Sequence, residues 1–282
     1  MHTSPPASAA LRGVIALLLL LPMRAAGAQP AREGAAAIAL GGATPALGGD
    51  LWGIANPASW AAIRSATAGF FAAEGFGLPE LREGAARVAV PLGRTVVAAG
   101  AASFGDAAYR ESSWLAGVAR PLFPGTHRPI AMGVRIALHR VTIEDYGNAT
   151  AIGLSAGWQV DVVPTLRLGA AAENVNGPRW AAGEPLSRRF ALGALYQPTP
   201  ETALLLALRR SGRASTSLHA GLEWRPVRAL ALRAGATGEP WRLSAGVAVR
   251  TTWIHAEATA ERHYALGWTP AVAIYVHGRG AL

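Results

Sequence analysis

The feature that most restricts this chain is an alternation of apolar with polar or small residues, recurring in segments of about ten residues from residue 65 onward. Residues 242–250 put Leu243, Ala245, Val247 and Val249 on one face and Arg242, Ser244, Gly246 and Arg250 on the other. Residues 217–225 set Leu218, Ala220, Leu222 and Trp224 against Ser217, His219, Gly221, Glu223 and Arg225, and residues 130–139 behave alike. A tilted strand of about ten residues crosses the hydrocarbon of a bilayer, whereas a helix needs roughly 18 to 20 apolar residues in a row. No run after residue 28 is that long. We therefore expect an all-β chain, a transmembrane antiparallel β-barrel of about 14 strands with its apolar face to lipid and its polar face to the lumen. The expected starts are Ser65, Ala85, Thr95, Ser112, Pro129, Ala149, Thr165, Arg188, Thr202, Ala214, Ala229, Arg242, Trp253 and Gly267. Around Thr95 and Ser112 both faces are rich in Ala and Gly, so register is weakly specified there.

Composition separates the barrel from its rival, a secreted all-β protein with a dry core. The chain is 51% hydrophobic and 15% charged, with a mean hydropathy of +0.24. Alternation accounts for that balance without any helical hydropathy peak. The expected connections alternate too, with longer outer ones such as 174–187 and short turns such as 163–164 and 251–252. Aromatic residues sort by strand end, as membrane-interface belts do. Trp114, Tyr146, Trp241, Tyr264 and Trp268 fall at outer ends; Trp158, Tyr196, Trp224, Trp253 and Tyr275 fall at periplasmic ends. All 26 basic residues are Arg, and they are scattered among apolar positions, so the net charge of +9 predicts no nucleic-acid partner.

The first residues read as an address. Arg12, an apolar run over 14–21 and the Ala26-Gly27-Ala28 cleavage site make a secretory signal peptide over 1–28. The absence of Cys excludes a lipobox anchor, disulfides and thiolate metal sites. Residues 29–63 are expected to form a plug, with the barrel over 64–282. Within that leader, Asn56 suits a helix N-cap and Pro57 the first helical position. The order Leu40, Gly41, Gly42, Ala43, then Ala46, Leu47, then Asp50, then Asn56, Pro57, Ala58 resembles the N-terminal signature of FadL-like outer-membrane barrels, including the PorV/PorQ-like branch. Near the other end, His263, Ala265, Leu266, Gly267, Thr269 and Pro270 look like the closing hairpin of PorV/PorQ-like proteins. The chain departs from such barrels after Tyr275, because it does not finish on an aromatic residue.

No catalytic constellation stands out. His255 with Glu257, and His219 with Glu223, share strand faces, but alternate lumenal positions are polar in any barrel. There is no G-x-S-x-G elbow and no G-K-[ST] after the Gly-rich stretch. No enzyme activity, cofactor or metal is expected. Arg135, Arg167, Arg233, Arg242 and Arg250 are expected to face inward with Asp161, Glu173, Glu223 and Glu257, either as ion-pair ladders that anchor the plug or as an anion-attracting lining. Gly133, Gly157, Gly169, Gly193, Gly221, Gly235 and Gly246 recur on that face and leave space for a plug or a ligand.

What the resemblance implies is a bacterial outer-membrane transporter of hydrophobic small molecules. Asp50, Asn56 and Pro57 would serve in the plug, with Trp180 and Trp241 capturing substrate at the outer loops. The alternative it implies is a membrane platform whose partner is a protein of an export system.

Overall fold

The structure, a computed structural model, describes residues 34–123, 129–180, 183–212 and 215–278. The expected signal peptide, residues 29–33 of the expected plug and residues 124–128 of the expected turn lie outside the described residues.

Fourteen strands succeed one another along the chain: β1 (Thr67–Glu74), β2 (Arg82–Leu92), β3 (Thr95–Gly105), β4 (Tyr109–Leu122), β5 (Ile130–Ile143), β6 (Gly147–Val163), β7 (Leu166–Glu173), β8 (Arg189–Thr199), β9 (Thr202–Ser211), β10 (Thr216–Val227), β11 (Leu230–Thr237), β12 (Arg242–Arg250), β13 (Ile254–His263) and β14 (Gly267–His277). Each pairs antiparallel with its neighbours in sequence, and β1 pairs with β14, from Thr67 opposite His277 to Ala73 opposite Ala271. Closure leaves no unpaired edge, which a sheet in hydrocarbon cannot tolerate. Every strand begins within three residues of its expected start, and β3, β9, β12 and β14 begin on it.

Strand length differs from the expectation on one side of the barrel. β4 and β5 have 14 residues and β6 has 17. The β5–β6 ladder continues through Arg140 opposite Thr150 and Thr142 opposite Asn148 to a turn after Ile143. Beyond the apolar band both faces of a hairpin meet water, so the hydropathy pattern fades while backbone pairing goes on.

The outward face is apolar around the barrel. Phe70, Val134, Leu206, Leu243 and Ile274 are all at least half exposed. Monomers in water rarely expose so large a contiguous apolar surface. Trp114, Tyr146, Trp158, Tyr196, Trp224, Trp241, Trp253, Tyr264 and Trp268 are likewise exposed. Tyr275 corrects the expected belt: it is 6% exposed and faces inward. Val272, Ile274 and Val276 form the outward set of β14, and the two-residue period then turns Tyr275 to the lumen.

Residues 34–66 form an inner segment with little regular structure, comprising a short helix α1 (Ala35–Ala39) and a 3-10 turn over Pro57–Ala62. α1 packs on β11–β14, and the 3-10 turn packs on β3–β6 across the barrel. The buried core lies between this segment and the inward strand faces, where Leu51, Trp52, Trp60 and Ile63 meet Phe71, Val96, Leu115 and Tyr275. Trp52 and Trp60 are 1% and 0% exposed. Burying an indole on that scale contributes up to about 4–6 kcal/mol, so the two anchor the segment strongly.

Candidate functional site

An irregular buried segment has carbonyls and N–H groups that no ladder satisfies, and buried backbone groups need partners. The barrel wall supplies them. Asn56, in the segment itself, bridges the two: its Oδ1 accepts from Ala58 N–H at 3.0 Å, and its Nδ2 donates to Pro45 O at 2.8 Å, Trp158 O at 3.0 Å and Ala170 O at 3.3 Å. It thus caps the 3-10 turn and ties it to β6 and β7. Gln159 Nε2 donates to Pro45 O at 3.1 Å and Leu47 O at 3.0 Å. On the far wall, His219 Nδ1 lies 2.6 Å from Gly41 O, Thr237 Oγ1 donates to the same oxygen at 2.8 Å, and Ser244 Oγ donates to Ala39 O at 3.1 Å.

The wall is also shaped for the segment's backbone. A methyl group added at Gly133 would stand 2.4 Å from the Pro57 carbonyl carbon, and one at Gly235 would stand 2.1 Å from Gly41 N. All seven glycines that the alternation places inward would meet an inner-segment atom within 3.0 Å if given a Cβ. The space they leave is filled by this segment.

Asp50 closes a local turn: its two oxygens accept from Trp52 N–H and Gly53 N–H, each at 3.1 Å. Pro57 occupies the first position of the 3-10 turn. Trp52 Nε1 donates to Tyr275 OH at 2.8 Å, and Tyr275 OH donates to Glu257 Oε2 at 2.9 Å. That link joins the inner segment to a charged cluster in which Arg233 bridges Glu223 at 2.7 Å and Glu257 at 2.6 Å. Arg225 also pairs with Glu223, and His255 Nε2 lies 3.2 Å from Glu257.

The remaining inward charges fall into separate groups. Arg135 Nη2 pairs with Glu173 at 3.0 Å, and its Nη1 donates to Gly53 O at 3.0 Å, so it ties β5 both to β7 and to the inner segment. Arg189 shares Glu173 at 3.3 Å. Arg167 grips Asp161 through two bonds of 2.6 and 3.2 Å, and Arg242 pairs with Glu261 at 3.0 Å. Arg250 is exposed at the end of β12, opposite His255. Of the two acid/base pairs visible in the sequence, His255 with Glu257 is brought together. His219 turns to Gly41 and Ser217, while Glu223 turns to arginines. Among the described residues no group of three or more Asp, Glu or His side chains is placed to hold a metal.

A cavity of about 530 Å³ remains between the inner segment and the end of the barrel that carries the longer loops. Ile54 is the inner segment's contribution to its lining, beside Arg87, Leu115, Arg135, Glu173 and Trp180. Trp180 therefore faces the cavity. Trp241 does not line it: it is 54% exposed in the turn before β12, one period away from outward-facing Leu243. Arg87, Trp52 and Gln159 are site residues that the sequence pattern did not single out. Arg87 was within its reach, because the alternation over 87–90 turns it inward with Ala89.

The architecture defines the class, a closed transmembrane β-barrel with a polypeptide segment packed against its inner wall. More narrowly, the fold is that of the FadL-like outer-membrane barrels, as three solved structures illustrate. A FadL homologue of Pseudomonas aeruginosa superposes with a TM-score of 0.67 at 11% identity, over 89% of this chain and 100% of that one. The toluene transporter TbuX of Ralstonia pickettii gives 0.62 at 11% identity, over 86% and 98%. The toluene transporter TodX of Pseudomonas putida gives 0.60 at 11%, over 86% and 96%. No protein-family model and no curated sequence matches the chain. The resemblance to FadL-like barrels thus holds at the level of fold, where identity is too low to carry function.

Proposed function

We infer that the protein is an outer-membrane channel for hydrophobic small molecules, in which residues 34–63 act as a plug. The observation that carries this reading is the pairing of a partly apolar cavity at the loop end with a buried segment between it and the other end. A vessel closed on one side by a removable segment can admit a ligand without opening a water-filled pore. The solved structures of like fold include toluene transporters, which supports hydrophobic cargo here. The apolar outer face and exposed aromatic residues support residence in the outer membrane. No catalytic role is assigned, and the named charges act in holding the plug.

The test is uptake of a hydrophobic probe by cells or liposomes carrying the full chain or a form lacking residues 29–63. Removal of the segment is expected to raise permeability to small hydrophilic solutes and to abolish selectivity for hydrophobic ones. Unchanged flux in both assays refutes the gating role.

A second reading, a membrane platform for an export-system protein, draws on the connections. Several at the loop end are tight, among them the three-residue turns after Ile143 and His263, which suit a flat docking face. Stoichiometric co-purification of one export-system protein with the native barrel, and no bound hydrophobic molecule, is the result that would favour it.

A further inference from the structure

Two Arg-Arg doublets, Arg188–Arg189 and Arg209–Arg210, stand at the loop end of β8 and β9, and the two-residue strand period sends one member of each to either face. The inward members are engaged: Arg189 pairs with Glu173 at 3.3 Å, and Arg209 donates to Thr44 Oγ1 at 3.3 Å. The outward members, Arg188 and Arg210, are exposed, and among the described residues neither forms an ion pair. Phe190 lies opposite Arg210, and Gly212 N–H donates to the Arg188 carbonyl at 2.7 Å, so the pairing runs past the start of β8. Arg188 and Arg210 are therefore diagonal neighbours on one outward face, with backbones roughly 7–8 Å apart. Glu239, in a flanking loop, accepts from Ser215 Oγ at 3.3 Å and does not neutralise them. The arrangement recurs on β4 and β5, where Arg110 lies opposite Thr142 and Arg140 opposite Ser112. Both of these arginines are exposed and also lack an ion pair among the described residues; Arg110 Nε donates to the Asp106 carbonyl at 3.2 Å.

We propose that Arg188 and Arg210 form a clamp on the outer wall of the barrel for the phosphate monoester of a membrane lipid headgroup. The height of the pair fits this occupant. Arg210 is level with Phe190 and Thr216, and beneath them Leu192, Leu206 and Leu218 are each more than half exposed on the lipid-facing wall. At that edge of the apolar band a guanidinium reaches headgroups while its stem covers apolar surface. Like charges held side by side repel, and an anion placed between them removes the repulsion. A guanidinium takes phosphate oxygens through parallel hydrogen bonds. A phosphate monoester carries a charge of about −1.5 to −2, which two guanidiniums balance, whereas a diester has only one negative charge. The Thr216 hydroxyl, directly across from Arg210, adds a donor on the same face. The inference rests on the residence of the barrel in a membrane and is independent of its cargo.

The test uses the full chain in detergent, titrated with phosphatidic acid, phosphatidylglycerol and phosphatidylcholine of identical acyl chains, with bound lipid counted by native mass spectrometry. Phosphatidic acid, the monoester, is expected to bind at least about tenfold tighter than phosphatidylglycerol, and phosphatidylcholine most weakly. Arg188→Gln combined with Arg210→Gln is expected to reduce that preference several-fold, the share left being that of Arg110 and Arg140. The further replacement of those two by Gln should abolish it. Arg94→Gln, in the turn between β2 and β3 at the other end of the barrel, should leave it intact. All of these side chains are exposed, so the variants should fold, and a heat-modifiable band on gels checks this; the lipid comparison in the unaltered protein stands without them. Equal binding of the monoester and the diester overturns the clamp, as does a loss in Arg94→Gln equal to that in the double variant. Full competition by inorganic phosphate at matched ionic strength overturns the lipid as the occupant in favour of free phosphate. Uptake of the hydrophobic probe should be the same in the double variant and the unaltered chain. A failed clamp with normal uptake leaves the channel reading standing, and a working clamp with no uptake refutes the channel alone.

Discussion

Replacing Asn56 by Ala tests how the inner segment is held. The change removes the acceptor that caps the 3-10 turn, which costs about 1 kcal/mol. It also removes the donor to Pro45 O at 2.8 Å and Trp158 O at 3.0 Å, worth about 1 kcal/mol each net, with little added for the 3.3 Å contact to Ala170 O. Pro45 O keeps its bond from Gln159, which limits the loss there. The sum, about 3 kcal/mol, raises the population of the undocked segment roughly 150-fold. Amide hydrogen exchange of the folded protein in detergent reads this locally. Peptides spanning residues 45–60 should exchange about two orders of magnitude faster, and strand peptides at unchanged rates. Asn56→Asp sharpens the argument. Asp caps a helix as well as Asn does, but it cannot donate, and its carboxylate would face three carbonyl oxygens. Exchange in Asn56→Asp should be at least as fast as in the Ala variant. Wild-type protection in the Asp variant, or no effect of Ala, refutes the view that the bonds to the wall hold the segment.

The same geometry sets three further outcomes. Gly235→Ala places a methyl 2.1 Å from Gly41 N, where backbone has to move, and should loosen the segment by about 1–3 kcal/mol; Gly84→Ala, whose nearest contact is 4.0 Å away, should be silent in the same exchange experiment. Arg233→Met leaves Glu223 and Glu257 buried without their shared cation and should destabilise the barrel by about 3–5 kcal/mol in thermal unfolding, and Arg233→Met combined with Glu257→Gln should recover part of that. In bilayers of brominated lipid, Trp158, Trp224 and Trp268 should be quenched while Trp52 and Trp60 are not; equal quenching of all tryptophans would contradict the placement of the inner segment.

The strands were legible in the sequence because a barrel wall imposes one local rule. Each residue pair must offer one side chain to lipid and one to the lumen, and that two-residue period is written directly into residues 217–225 and 242–250. The 3-10 turn was equally local, since Asn56 and Pro57 are adjacent in the chain and open the turn that runs on to Ala62. Other features depend on the groups across the lumen, and no local pattern reports those. The period of β14 turns Tyr275 inward, but only closure of the barrel sets its hydroxyl against Trp52, 223 positions away. His219 and Glu223 look like a pair until Gly41 takes one and Arg233 the other. Strand number, facing and a Gly-rich leader were settled by the sequence alone. Which carbonyls the wall would satisfy, and that Arg87 would rest on Trp52 at the edge of a cavity, were decided by the closed barrel, which brings strands far apart in sequence around one buried segment.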